Sequence, residues 1–368
     1  MKRYPLLEVC ARVDGHRVQR EMVREYCRTC DDWNGLLERA EREGMAPLLR
    51  KHLLEAGADI PAGVRRSLNL LSTRHQKHAK IRLEVLEEVV CLFQQNRLTP
   101  IILKGAALCI TLYPDPALRP MRDMDILFSR DEAEKAQDLL KESGFEESTA
   151  PIPHDHHHLP SLHKTVEDVK VCFELHRGLY PNITPHYPAV DWEKLLETSS
   201  RVRLNETELI VFNHEETLHY LYQHGFRPPL TYESFKLINA ADIISYTEKY
   251  FSEISWEDMQ TRFPDCRHAI PLLHHISPWM PDNIAFDFIS DVDLKHRLKP
   301  ASYNGWPHKR LSILKAEHSM ISILKETFFP PRWWVSVYYG SSGVAGYLRA
   351  VFRYHLRQIY LFAKLFRG

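Results

Sequence analysis
The sequence predicts an α+β protein in which a small mixed β-sheet is flanked by N- and C-terminal helical regions. Three observations predict it. Residues from about 18 to 95 carry apolar side chains at helical spacing. At residue 98 the chain switches to short β-branched runs that alternate with helical segments. Helical periodicity then returns from 206 onward.

Taken in order, DWNGLLERAEREGMAPLLRKHLLEAG reads as two amphipathic helices broken near Gly44 and Met45. HAKIRLEVLEEVVCLFQQN sets Ile81, Val85, Val89 and Leu92 at helical spacing and ends near Asn96. LTPIILKG is a short apolar run closed by Gly105, as expected of a buried strand, and GAALCITLY reads as helix. After the Pro-rich turn YPDPALRP, MRDMDILF reads as a second strand. RDEAEKAQDLLKESGF is an amphipathic helix with Gly144 near its end. HHLPSLHKT leads to VEDVKVCFELHRG, whose strict alternation reads as a third strand. ETELIVFNHEETLHYLYQHGF and SFKLINAADIISYTEKY read as helices, 278–310 as irregular, and the last residues as a basic, aromatic amphipathic helix. The expected organisation is a helical region over 1–95, an α/β core over 96–180, a helical region completing the cleft over 181–275, and an irregular segment with the C-terminal helix over 276–368.

The 368 residues suffice for a sizeable core. Lys plus Arg and Asp plus Glu both number 48, so net charge gives no case for nucleic-acid or anionic-membrane binding. The seven cysteines are odd in number and irregularly spaced, which fits reduced thiols better than a disulfide framework. Cys27 and Cys30 form a lone CxxC without the second ligand pair of a structural zinc site. The N-terminus lacks the apolar core of a signal peptide, and no apolar run is long enough to span a membrane. The expected location is the cytoplasm.

Three segments carry chemistry. Lys104-Gly105 stands at a strand end and a helix start, where a glycine admits a phosphate, free N–H groups face it and Lys104 adds a charge. In RPMRDMDILF, strand alternation puts Asp123 and Asp125 on one face and Met124, Ile126 and Phe128 on the other. Two carboxylates at that spacing repel each other unless a cation lies between them, and hard oxygen donors suit Mg2+. Arg119 and Arg122 precede the pair and are placed to clamp phosphate oxygens. In VEDVKVCFELHRG, Glu174 falls on the polar face with His176 beside it, a third carboxylate for a two-metal centre.

This order of LKG, LYPDPALRPMRDMDILF, a helix ending in SGF, and FELHRG resembles the uncharacterised bacterial nucleotidyltransferase family, part of the polymerase-β-like nucleotidyltransferase superfamily. The resemblance implies a minimal nucleotidyltransferase core. It puts Gly105 in the phosphate turn, Asp123 and Asp125 in the pair that binds two Mg2+ ions, and Glu174 in the third acidic position. Lys104, Arg119 and His176 match motifs of the narrower family. Weaker similarity runs from about 30 to 250 and includes His224, Lys236 and Asp242. Two positions depart from the superfamily pattern: Ala106 follows Gly105 where Ser or Gly is usual, and Glu174 stands where Asp is usual.

The implied activity is magnesium-dependent transfer of a nucleoside monophosphate from a nucleoside triphosphate, with ATP the first guess, to an unidentified hydroxyl acceptor with release of pyrophosphate. Asp123, Asp125 and Glu174 would hold the metal, and Lys104, Gly105, Arg119, Arg122 and His176 would surround the nucleotide. The acceptor is open among small molecules, proteins and RNA. A non-catalytic nucleotide-binding or regulatory module and a toxin-like tRNA-modifying enzyme are the alternatives.

Two features lie outside that scheme. His154 to His158 form a dense cluster, read as a solvated loop over the acceptor site rather than a dedicated metal site. The C-terminal helix carries Arg349, Arg353, Arg357, Lys364 and Arg367 beside Tyr347, Phe352, Tyr360 and Phe362. It reads as a helix with its aromatic side on the protein body, with contact to a membrane surface or RNA as the other possibility.

Overall fold
The break expected near Gly44 is present: Gly44 takes a φ of 73°, in the left-handed region that ends a helix and that glycine enters at least cost. It separates α3 (Trp33–Arg42) from α4 (Ala46–Glu55), after α1 (Pro5–Val9) and α2 (Arg17–Arg28). The computed structural model describes residues 4–149, 156–180, 190–225, 236–280, 284, 319–321, 328–329 and 343–365. The chain forms two compact units. One comprises Met1–Arg39, His52–Asp59 and Leu218–Gly368; the other comprises Ala40–Lys51 and Ile60–Thr217.

The second unit is built on a seven-stranded mixed sheet. Its elements are α5 (Ala62–Gln95), β1 (Ile101–Ile102), α6 (Lys104–Thr111), β2 (Met124–Leu127), α7 (Arg130–Glu142), β3 (Glu146–Glu147), β4 (Leu162–Val166), β5 (Val169–His176), α8 (Trp192–Thr198), β6 (Ser200–Leu204) and β7 (Thr207–Val211). The strand order is β3-β4-β5-β2-β1-β7-β6, with β5 parallel to β2 and β1 parallel to β7.

The expected strands at 98–105, 121–128 and 166–178 are all present, and four more join them. Glu167 and Asp168 both take positive φ and turn β4 into β5, the geometry of a two-residue hairpin. β6 and β7 lie in a stretch that the sequence reading treats as helical. Thr207–Val211 alternates buried and open positions and pairs antiparallel with β6 across Asn205, whose φ is 50°. TELIV runs straight into the first turn of α9 (His214–Gly225), so the strand period is masked by the helix that follows.

One apolar cluster covers the sheet. Val85, Val89 and Phe93 of α5 and Ala133, Ala136 and Leu140 of α7 pack with Met124, Ile126, Phe128, Val171 and Phe173. The Phe93 and Phe128 rings meet edge to face at 5.0 Å. Each fully buried side chain of this size contributes about 1.5–3 kcal/mol. The face of β2 carrying Met124 and Ile126 is thereby committed to the core, which fixes where Asp125 must point.

In the first unit, α10 (Leu237–Tyr250) is almost wholly buried, and Arg12 forms a buried ion pair with Glu248. α11 (Trp256–Arg262) and α12 (Pro264–Leu272) follow. The C-terminal helix spans Gly343–Leu365; Ala350, Val351 and Tyr354 are buried, while Arg349, Arg353 and also Phe352 are exposed. The aromatic residues of that helix therefore do not all turn inward. The irregular stretch expected at 278–310 falls almost entirely outside the described residues, as do His154 and Asp155. Among the described residues, no helix is long and apolar enough to cross a membrane.

Candidate functional site
β2 and β5 run side by side in parallel, with Asp125 opposite Glu174 and Leu127 opposite His176. The Leu103 N–H donates to the Asp125 carbonyl at 3.0 Å and the Phe128 N–H to the His176 carbonyl at 3.0 Å, which locks both strands around these residues. Because side chains alternate, Asp123, Asp125, Glu174 and His176 belong to the face of the sheet turned away from Met124 and Ile126. Donor atoms of Asp125, Glu174 and His176 all lie within 4.8 Å of one another.

Asp125 is the electrostatic centre. Lys104 Nζ donates to its Oδ1 at 2.9 Å and His176 Nε2 to the same oxygen at 2.8 Å. A carboxylate only accepts, so His176 carries its proton on Nε2, and its buried Nδ1 is a bare lone pair without a hydrogen-bond partner. Burial, the largest influence, holds the His176 pKa below its usual value, so the ring is a neutral donor. Burial pushes Asp125 upward too, but the Lys104 charge and the two hydrogen bonds hold it well below the usual carboxylate range. A buried lone carboxylate costs several kcal/mol, whereas one hydrogen bond to a charged group returns about 1.5–3 kcal/mol, and the Lys104 charge is the largest influence against burial. Lys104 therefore does most to keep Asp125 ionised. Glu174 behaves oppositely: burial, then the Asp125 charge, raises its pKa.

Lys104 reaches Asp125 from a backbone with φ of 45°, a conformation that a non-glycine residue adopts at a cost of about 1–2 kcal/mol. The left-handed residue of LKG is thus Lys104 and not Gly105. Gly105 supplies space instead: a Cβ there would meet Arg119 Nη1 at 2.7 Å and Cζ at 3.2 Å. The room expected for a phosphate is filled by the Arg119 guanidinium. Asp123 lies at the mouth of the site and is exposed. Burial by surrounding atoms, then the Asp125 charge, raises its pKa against the pull of Lys104 and Arg119. Solvent screens that shift at an exposed residue. Arg122 is exposed.

One contributor, Arg82, has almost no mark in the sequence, and another, the histidine segment, differs from its expected form. Arg82 of α5, half-buried beside Ile81, donates to the Lys170 carbonyl at 3.3 Å and feels the Asp123 charge. Its only sequence signal is its place next to an apolar position that faces the sheet. The second contributor is the histidine segment. The part expected to be a solvated loop pairs with the end of β5: the His157 carbonyl accepts from the Arg177 N–H at 2.9 Å and the Leu159 N–H donates to the Leu175 carbonyl at 2.9 Å. His158 Nε2 lies 3.9 Å from Glu174 Oε2, and the His157 ring is 5.4 Å from that of His176. Burial pushes the His157 pKa down to about 2, so that ring is neutral.

Residues 29–276 match the family described as uncharacterised nucleotidyltransferase. The chain belongs to that family. A nucleotidyltransferase-like antigenic protein from Paracoccidioides brasiliensis aligns structurally over 56% of this chain and 98% of its own, at 17% identity and a TM-score of 0.34. No curated protein matches the sequence. The nucleotidyltransferase presents two carboxylates and one imidazole around a shared point, with a third carboxylate at its mouth. Hard oxygen donors at this density fit Mg2+, which is typically held by one or two carboxylates together with substrate phosphates. Asp123, Asp125 and Glu174 are the groups that would hold it.

Proposed function
We propose that this nucleotidyltransferase moves a nucleoside monophosphate from a nucleoside triphosphate to a hydroxyl acceptor in a Mg2+-dependent reaction. The observation that carries the reading is the parallel register that sets Asp125 against Glu174. Bound Mg2+ would supply charge stabilisation for the triphosphate and acidify the acceptor hydroxyl. Asp125, kept ionised, and Asp123 serve as metal ligands. Glu174, with its raised pKa, is the group suited to take the acceptor proton. Lys104 and Arg119 line the phosphate side, and Arg119 turns away from Gly105 to admit the phosphates. His176 orients Asp125 through its Nε2–H. The acceptor is a small molecule, a protein or RNA.

The test is to incubate the protein with each labelled triphosphate, Mg2+ and cell extract, with Asp123→Asn as control. Pyrophosphate release and label on an acceptor, both lost in the variant, support the reading. No release with any of the four nucleotides sinks it. A second reading, a nucleotide-binding module without turnover, is favoured by one feature: Lys104 already neutralises Asp125. Nucleotide binding that is indifferent to Mg2+ and unaccompanied by pyrophosphate would favour it.

A further inference from the structure
We propose that His156, His157 and His158 form a binding site for a borderline divalent transition-metal ion such as Zn2+, with its own three imidazole ligands and bordering the carboxylate site assigned to Mg2+ at Glu174. Each offers one ring nitrogen, and the three nitrogens lie within 4.8 Å of one another. The ring centroids are 4.1–5.1 Å apart. Successive side chains of an extended strand point to opposite faces, so three consecutive imidazoles converge only where the backbone is held out of that pattern. Here it is held. Arg177 donates through its N–H to the His157 carbonyl and through Nε to the His156 carbonyl at 3.0 Å, and His158 bridges to His176.

His158 N–H to His156 Nδ1 is long, at 3.4 Å, and the buried His157 Nδ1 has no hydrogen-bond partner. His158 Nδ1 donates to the Leu159 carbonyl at 2.8 Å, which leaves Nε2 as the nitrogen free to act as a ligand. That nitrogen faces Glu174 Oε2 across 3.9 Å, too far for a direct hydrogen bond and with room for a cation that both could bind. A carbonyl that fixes the tautomer of an imidazole ligand is a common outer partner in metal sites. Three imidazoles with a fourth position open toward a carboxylate make a zinc donor set, whereas Mg2+ takes oxygen donors. Lys104 and Arg177 oppose a cation here, and Glu174 offsets them.

The inference stands independently of nucleotide transfer, and its test keeps the two apart. The protein is stripped with chelator, loaded with Zn2+, freed of excess and assayed for bound metal; Co2+ loading reports coordination geometry in the visible spectrum. Wild type and Asp123→Asn are expected to retain zinc, and His156→Gln/His157→Gln/His158→Gln to lose it while keeping its circular dichroism. His157→Ala should weaken binding on the order of tenfold or more. Wild type that holds no more zinc than the triple variant, or a triple variant that holds as much as wild type, overturns the proposal. Failure of Asp123→Asn in transfer with zinc intact separates this site from the magnesium reading.

Discussion
Lys104 Nζ and Asp125 Oδ1 are 2.9 Å apart in a pair whose side chains are 15% and 5% exposed. Removing the cation from such a pair leaves an uncompensated buried charge, which costs about 3–5 kcal/mol. Lys104→Met is therefore expected to lower the urea midpoint markedly. It should also enlarge the rise in melting temperature that Mg2+ produces, because the metal would replace the lost ammonium. A melting temperature insensitive to Mg2+ in both proteins would show that Asp125 binds no metal.

Asp125→Asn keeps the shape but removes the charge that Lys104 faces. Transfer is expected to fall by roughly 100-fold or more, the scale of losing a metal ligand. His176→Ala, which frees the orienting contact, should weaken Mg2+ binding by about 10–100-fold while nucleotide binding without metal stays near wild type. Equilibrium binding with and without Mg2+ distinguishes the two variants.

Gly105→Ala is expected to fold. The residue is not in the left-handed region, and a helical Ala is favoured over Gly by up to about 1 kcal/mol. The added methyl meets the far end of the Arg119 side chain, which must swing aside, and otherwise makes ordinary contact with Met121 Cγ at 3.4 Å. The melting temperature should hold or rise, while KM for the nucleotide increases several-fold at little change in kcat. An unchanged KM would show that the space beside Gly105 does not serve phosphate.

His219 lies buried, stacked on Phe263 at 3.8 Å, and burial pushes its pKa down to about 3 from 6.5. Between those values the unfolded chain takes up a proton that the folded chain refuses. The stability this residue contributes is thus present above pH 6.5 and lost as pH falls, by up to about 1.4 kcal/mol per unit. His219→Phe preserves the stack and should flatten the decline in urea midpoint between pH 7 and 4 relative to wild type. Parallel curves would rule out this role.

The sequence discloses the β1–α6–β2–α7–β5 order and the shared face of Asp123, Asp125, Glu174 and His176, because alternation is a local property and the apolar partners Met124, Ile126 and Phe128 are unambiguous. It does not disclose which strands adjoin, so the Asp125–Glu174 pairing was an assumption that the register supplies. The backbone strain sits on Lys104, where the residue type argues against it, and from that conformation its Nζ reaches Asp125. β6 and β7 were hidden because five residues are too few to separate a strand from the helix that follows. The histidine segment looked like a polar loop because its partners, Arg177 and Leu175, act through the backbone and leave no mark on composition.

The interlock of β2 with β5 has a further effect on quality control. Sliding one strand past the other by a single residue would replace Glu174 with Phe173 or Leu175 and drive an acid into the hydrophobic interior. Such a molecule would lose its core along with its chemistry. The cell would meet misassembled copies as unfolded chains open to proteolysis, not as well-folded decoys that compete for nucleotide.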